Sequence, residues 1–109
     1  MKLKIDTTDR LEIKVELKDP KKGTTQSLIQ TQKLGSQVLL PMIVKVLKKN
    51  KLDFSDLTAV EVNCGPGSFT GTRVGVSVAN ALGFALDIPV NGKKGKIVVP
   101  IYEKSKFDK

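Results

Sequence analysis

Two stretches of this 109-residue chain hold residue types that could do chemistry. Asp6-Thr7-Thr8 closes an alternating run that starts at Lys2. An acid at the end of a strand can hold a metal through water, or cap a turn with its own side chain. Cys64-Gly65-Pro66-Gly67-Ser68-Phe69-Thr70-Gly71 joins a strand-like run to a helix-like one, where the N–H groups of a helix start point at an anion. Asp6, Thr7, Gly65, Gly67 and Ser68 together would make a weak phosphate site. Its spacing fits neither common fingerprint: Gly65, Gly67 and Gly71 are one residue too long for the dinucleotide pattern, and no Lys follows as in a P-loop. A tight turn and a close helix–sheet approach explain the glycines without a ligand, and turn capping explains Asp6.

The remaining inventory excludes more than it offers. There is no His, which removes His-based triads and imidazole metal sites. One Cys makes neither an internal disulfide nor a Cys-rich metal site. Cys64, with no His to activate it, reads as a small buried hydrophobe. No catalytic residue, metal or cofactor is therefore expected. The formal charge is +8, from 19 Lys plus Arg against 11 Asp plus Glu. Lysines are scattered along the chain, so the excess reads mainly as solvation, with nucleic acid bound only weakly or indirectly. Five scattered aromatic residues form no stacking platform. The most apolar stretch, Val74 to Leu86, has 13 residues, short of the roughly 20 that span a bilayer. With no leader pattern at Lys2 to Asp6, a cytoplasmic protein with no membrane contact is expected.

Hydropathy periods predict the elements that position these residues. Leu3, Ile5 and Thr7 alternate with polar neighbours, and Leu11, Ile13, Val15 and Leu17 alternate with Glu12, Lys14 and Glu16 after a turn at 8–10. Thr24 to Gln32 is a β-prone third strand after a turn at 19–23. Ser36 to Lys49 predicts a helix, with Pro41 marking its start or a bend. Leu57 to Asn63 is a fourth strand, the second helix runs to about Leu86, and a final strand starts at 87–90. The order β-β-β-α-β-α-β is an α/β fold with a mixed sheet.

Both helices carry more packing signal than a one-sided element needs. The first has an apolar arc of roughly 240°, where about 100° suffices, so Leu39, Met42, Ile43 and Val46 are candidates for a partner contact. The second repeats small residues at Gly71, Gly75, Ala79 and Gly83, letting another backbone come close. Arg73 in its first turn opposes the helix dipole, and shares a stripe with Ser77 and Asn80 that faces either an anion or water.

Ser36-Gln37-x-Leu39-Leu40-Pro41-Met42-Ile43, the Cys64 to Gly71 run continuing through Arg73, Gly75 and Val76, and the Ala81 to Val90 stretch resemble the TsaB (YeaZ-like) family. The resemblance is strongest over residues 35–90. It implies a single actin-like (RNase H-like) lobe over 1–103, a polar tail at 104–109 and no second lobe. It further implies a non-catalytic dimerisation subunit that pairs with the catalytic TsaD subunit through its two helices, and self-pairs when alone. The activity served would be formation of threonylcarbamoyladenosine at position 37 of tRNA. A small basic RNA-binding module and a glycoprotease-like hydrolase are the competing readings.

Overall fold

In a computed structural model, residues 1–9, 12–23, 25–31, 36–67 and 69–101 are described. Arg10, Leu11, Ser68 and the 102–109 tail lie outside the described residues. The elements are β1 (Lys2–Asp6), β2 (Glu12–Lys18), β3 (Thr25–Thr31), α1 (Ser36–Lys49), a 3-10 turn at Phe54–Asp56, β4 (Ala59–Val62) and α2 (Phe69–Leu86). The strands form one mixed sheet in the order β3-β2-β1-β4, antiparallel except for the β1–β4 pair.

Alternation along the strands dictates which face is covered. Val60, Leu3 and Leu17 line up in one cross-strand row, and Val62, Ile5 and Val15 in the next. All six are buried, and such same-face neighbours are the unit that stabilises a sheet. Both helices lie on this face: α1 packs over β2 and β3, α2 over β1 and β4, and the helices touch each other. The opposite face carries Lys4, Lys14, Glu16, Lys18 and Glu61, and no element among the described residues covers it. Charges there pair across the surface, as in Lys14–Glu16 at 2.8 Å and Lys2–Glu61. The hydrogen bond from Lys2 holds the Glu61 carboxyl below its ordinary range.

One expectation needs correction and another is narrowed. The final strand is reduced to a single parallel bridge, Val90 with Val60, on the open side of β4. The reason is local: Asn91 and Gly92 both take positive φ, 52° and 78°, and fold the chain back so that Val90 bridges Lys93. The Asn91 side chain stands in for the next strand residue, accepting from Val62 N–H at 2.8 Å and donating to Val62 C=O at 3.0 Å. Second, of the two readings of Pro41 the helix start is excluded: α1 spans Ser36–Lys49 as expected, with Pro41 inside it on its exposed side. Past the first turn, a proline has no N–H to give the helix ladder, so Pro41 leaves one of its bonds unmade.

Candidate functional site

At the carboxyl end of β1 and β4 the fold brings Asp6, Thr7, Gly65 and Gly67 together at the start of α2. Each is already engaged by the chain itself. Asp6 Oδ1 accepts from Thr8 N–H at 3.0 Å and from Thr8 Oγ1 at 2.7 Å, while Oδ2 accepts from Asn63 Nδ2 at 3.2 Å. Partial burial pushes the Asp6 carboxyl up, but those hydrogen bonds, with Lys14 nearby, outweigh it and hold the group below its usual range. The Thr7 hydroxyl is fully buried and donates to the Gly71 carbonyl in the first turn of α2. A Cβ on Gly67 would lie 2.6 Å from Thr8 Cβ and 2.7 Å from its carbonyl oxygen, so the two loops are in direct backbone contact. Gly65 has φ +103°, and the Ile101 carbonyl occupies the place of its missing Cβ. These glycines thus serve close approach, and Asp6 is a turn-capping acid. The expected phosphate residue Ser68 lies outside the described residues. A shallow polar cleft beside this knot is lined by Lys4, Asp6, Glu61, Val62, Asn63 and Asn91.

The small-residue ladder of α2 faces its own sheet. A side chain at Gly75 would strike Thr7 Oγ1 and crowd Ile5, one at Gly83 would strike Val90, and Ala79 is fully buried. Of the two occupants left open for the groove of Gly71, Gly75, Ala79 and Gly83, sheet or partner, the structure shows the sheet: β1 lies against Gly75 and the strand remnant at Val90 against Gly83. The opposite side of α2 is the free one. There Thr70, Arg73, Val74, Ser77 and Val78 line a shallow groove, and Phe84 is 92% exposed. Arg73 is exposed on this side, while its expected companion Asn80 has turned to the chain. Asn80 Nδ2 donates to Val98 C=O at 2.9 Å and its Oδ1 accepts from Val98 N–H at 3.0 Å, clamping the extended 97–101 segment on α2.

α1 requires a correction. Leu39, Met42, Ile43 and Val46, expected at a partner contact, are at most 3% exposed and belong to the core. A wide apolar arc does not reveal its own centre, and the structure shows that these four form it. The outward remainder is Leu40, 46% exposed, with Pro41 and Val44 in a shallow groove flanked by Lys45, Lys48 and Lys49. Sequence reasoning missed Leu40, Val44 and Phe84 as the unpartnered apolar residues. The signal was available for α1, since Leu40 and Val44 lie one turn apart at the edge of the arc. The fully buried Thr72 hydroxyl, which has no hydrogen-bond partner, left no trace in the sequence. Among the described residues no cluster of three His, Cys, Asp or Glu could hold a metal, and no helix is long and apolar enough to cross a membrane.

Comparison with known proteins now adds an outside measure. The family model described as TsaD, tRNA N6-adenosine threonylcarbamoyltransferase, matches residues 29–92. The chain is 44% identical over 54 residues to the tRNA threonylcarbamoyladenosine biosynthesis protein TsaB of Buchnera aphidicola, covering 50% of the chain and 26% of that protein. To TsaB of Haemophilus influenzae it is 41% identical over 59 residues, covering 54% and 25%. The solved structure of YeaZ from Pseudomonas aeruginosa superposes with a TM-score of 0.75 at 33% identity, covering 82% of the chain and 41% of YeaZ. The chain therefore spans about a quarter of the curated relatives and under half of the solved one. The matched stretch runs through β3, α1, β4 and α2, the elements that build both helix faces and the glycine knot, and more than half of the chain lies within it, so the chain belongs to the TsaD family of this model as a protein of the TsaB/YeaZ type.

Proposed function

We propose that the chain is a non-catalytic scaffold of the actin-like kind that pairs with a TsaD catalytic subunit and so supports threonylcarbamoyladenosine formation on tRNA. The observation that carries this reading is the outer surface of the helix pair. α1 and α2 lie side by side with their core faces satisfied, yet leave Leu40, Pro41 and Val44 on one helix and Val74, Val78 and Phe84 on the other at least partly open. Apolar residues gathered on one surface mark an interaction site, and adjacent helices from two partners can form a four-helix seam. The non-catalytic part of the reading is supported by the loop end, where Asp6, Thr7 and Gly67 spend their polar and steric capacity on the chain itself. In the absence of TsaD, the same surface would pair with a second copy about a two-fold axis.

The test mixes the purified chain with TsaD from the same organism and measures mass in solution. A one-to-one complex is expected, with the chain alone as a dimer. Separate elution at micromolar concentrations of both proteins would remove the reading.

A further inference from the structure

The fold concentrates charge that the sequence spreads out. β2 ends at Lys18, the turn that follows carries Lys21 and Lys22, and β3 starts back from the same end. α1 lies over these two strands, and the chain leaving it reaches Asp56 beside Met1 and then Ala59, which pairs with Lys2 opposite Lys18, so Lys48 and Lys49, followed by Lys51, come toward that end too. All six lysines are exposed. The described carboxylates at this end are Asp19, Asp53 and Asp56, with Glu61 on the open sheet face paired to Lys2 and within electrostatic reach of Lys18. Asp19 Oδ1 accepts from Lys21 N–H at 2.9 Å, and Asp56 Oδ2 accepts from Asp53 N–H at 2.9 Å, so both point into their own turns. Part of this pattern has a local cause, since cations near a helix C-terminus offset its dipole. That cause does not extend to Lys18, Lys21 and Lys22, which belong to the hairpin.

We infer that this end of the molecule, the β2–β3 turn together with the C-terminus of α1, is a docking surface for the phosphate backbone of RNA. Lysines on two separate elements at one end offer several point charges to a polyanion at once, which is what backbone binding requires. The exposed large apolar residues, Ile29, Leu40, Phe84, Ile97, Val99 and Ile101, all lie outside the turn and the last turn of α1. Among the described residues the surface thus offers no exposed large apolar side chain to a lipid layer, and phosphate without acyl chain is the better match. RNA rather than another polyanion is chosen because the inference rests on the tRNA-modification reading above. The surface adjoins the apolar groove at Leu40 and Val44 through Lys48 and Lys49, whereas Lys18, Lys21 and Lys22 on the hairpin lie outside that groove.

Anisotropy titration of the full chain against unmodified tRNA, at salt from 50 mM to 1 M, tests the inference. Lys21→Gln/Lys22→Gln and Lys48→Gln/Lys49→Gln should each lower the slope of log affinity against log salt by about 1.5. From a common value near 1 M salt, that is about a 30-fold loss at 0.1 M. The control pair Lys4→Gln/Lys14→Gln removes the same charge from the open sheet face and should leave most of the affinity in place. Equal loss in all three pairs, no tRNA binding by the parent chain, or tighter binding to phosphatidylserine vesicles than to tRNA at equal salt would each overturn the inference. Leu40→Asn, which adds no charge beside Lys48 and Lys49, separates it from the pairing proposal: that change should leave the tRNA titration of the chain unaltered whether or not it disrupts a TsaD complex.

Discussion

α1 and α2 cover the same face of one sheet by opposite means. α1 fills its side with bulk: Leu39, Met42, Ile43, Val46 and Leu47 are all essentially inaccessible. α2 instead comes close, because Gly75 and Gly83 have no side chain where Thr7 and Val90 stand. A helix of the first kind loses stability when atoms are removed, and one of the second kind when they are added. The difference also leaves the same side of both helices, the one away from the sheet, for the pairing proposed above.

The largest effect should come from a charge in the bulky contact. Ile43→Asp should leave no cooperative unfolding transition by circular dichroism, because an unpaired carboxylate would be buried; Ile43→Ala should cost about 2–5 kcal/mol. A folded Ile43→Asp protein would show that α1 is less tightly seated than its burial implies. Gly75→Val comes next, at about 1–3 kcal/mol or more for overpacking, since the new side chain meets the Thr7 hydroxyl that binds the Gly71 carbonyl. Urea denaturation would measure it. A neutral Gly75→Val would mean that α2 sits farther from β1 than described.

A smaller, pH-dependent effect belongs to the knot at Asp6. Its carboxyl is held below the ordinary range in the folded chain, so it contributes stability that is present above the unfolded value of about 3.9. That contribution disappears as pH falls through the lower folded value. Melting of the parent chain should therefore lose its advantage over Asp6→Asn on acidification below about pH 4. An unchanging gap would show that the Thr8 and Asn63 bonds do not depend on the charge. Leu40→Ala should be the mildest change, within about 0.5 kcal/mol in the isolated chain, because nearly half of Leu40 is already in water. A cost like that of Ile43→Ala would abolish the distinction between the two sides of α1.

The strands and both helices were legible because their periods are clean: Ile13, Val15 and Leu17 alternate with charges, and α1 holds Leu39, Ile43 and Val46 on one arc. The orientation of each helix was not, since a small-residue stripe reads alike whether sheet or partner fills it. Only the position of Thr7 beside Gly75 decides. The last strand was over-read because Val90 looks β-prone, whereas the positive φ of Asn91 and Gly92 ends it after one residue. In the site, Gly65 and Gly67 read as either phosphate-loop or close-packing residues, and the contacts at Thr8 and Ile101 become visible only in the fold. The roles of Asn80 and Asn91 depend on partners 18 and 29 residues away, a distance no local pattern spans. Charge was the least legible property, because sequence spacing says nothing about which lysines share an end of the fold.

The outer helix faces carry the proposed pairing, and a double variant examines them directly. Leu40→Asp/Val44→Asp should fold with a circular dichroism spectrum and melting temperature close to the parent chain, since both positions lie outside the fully buried core. Light scattering of that variant with equimolar TsaD should then give two separate masses where the parent chain gives one complex. A folded double variant that still forms the complex at the parent's affinity would contradict the account.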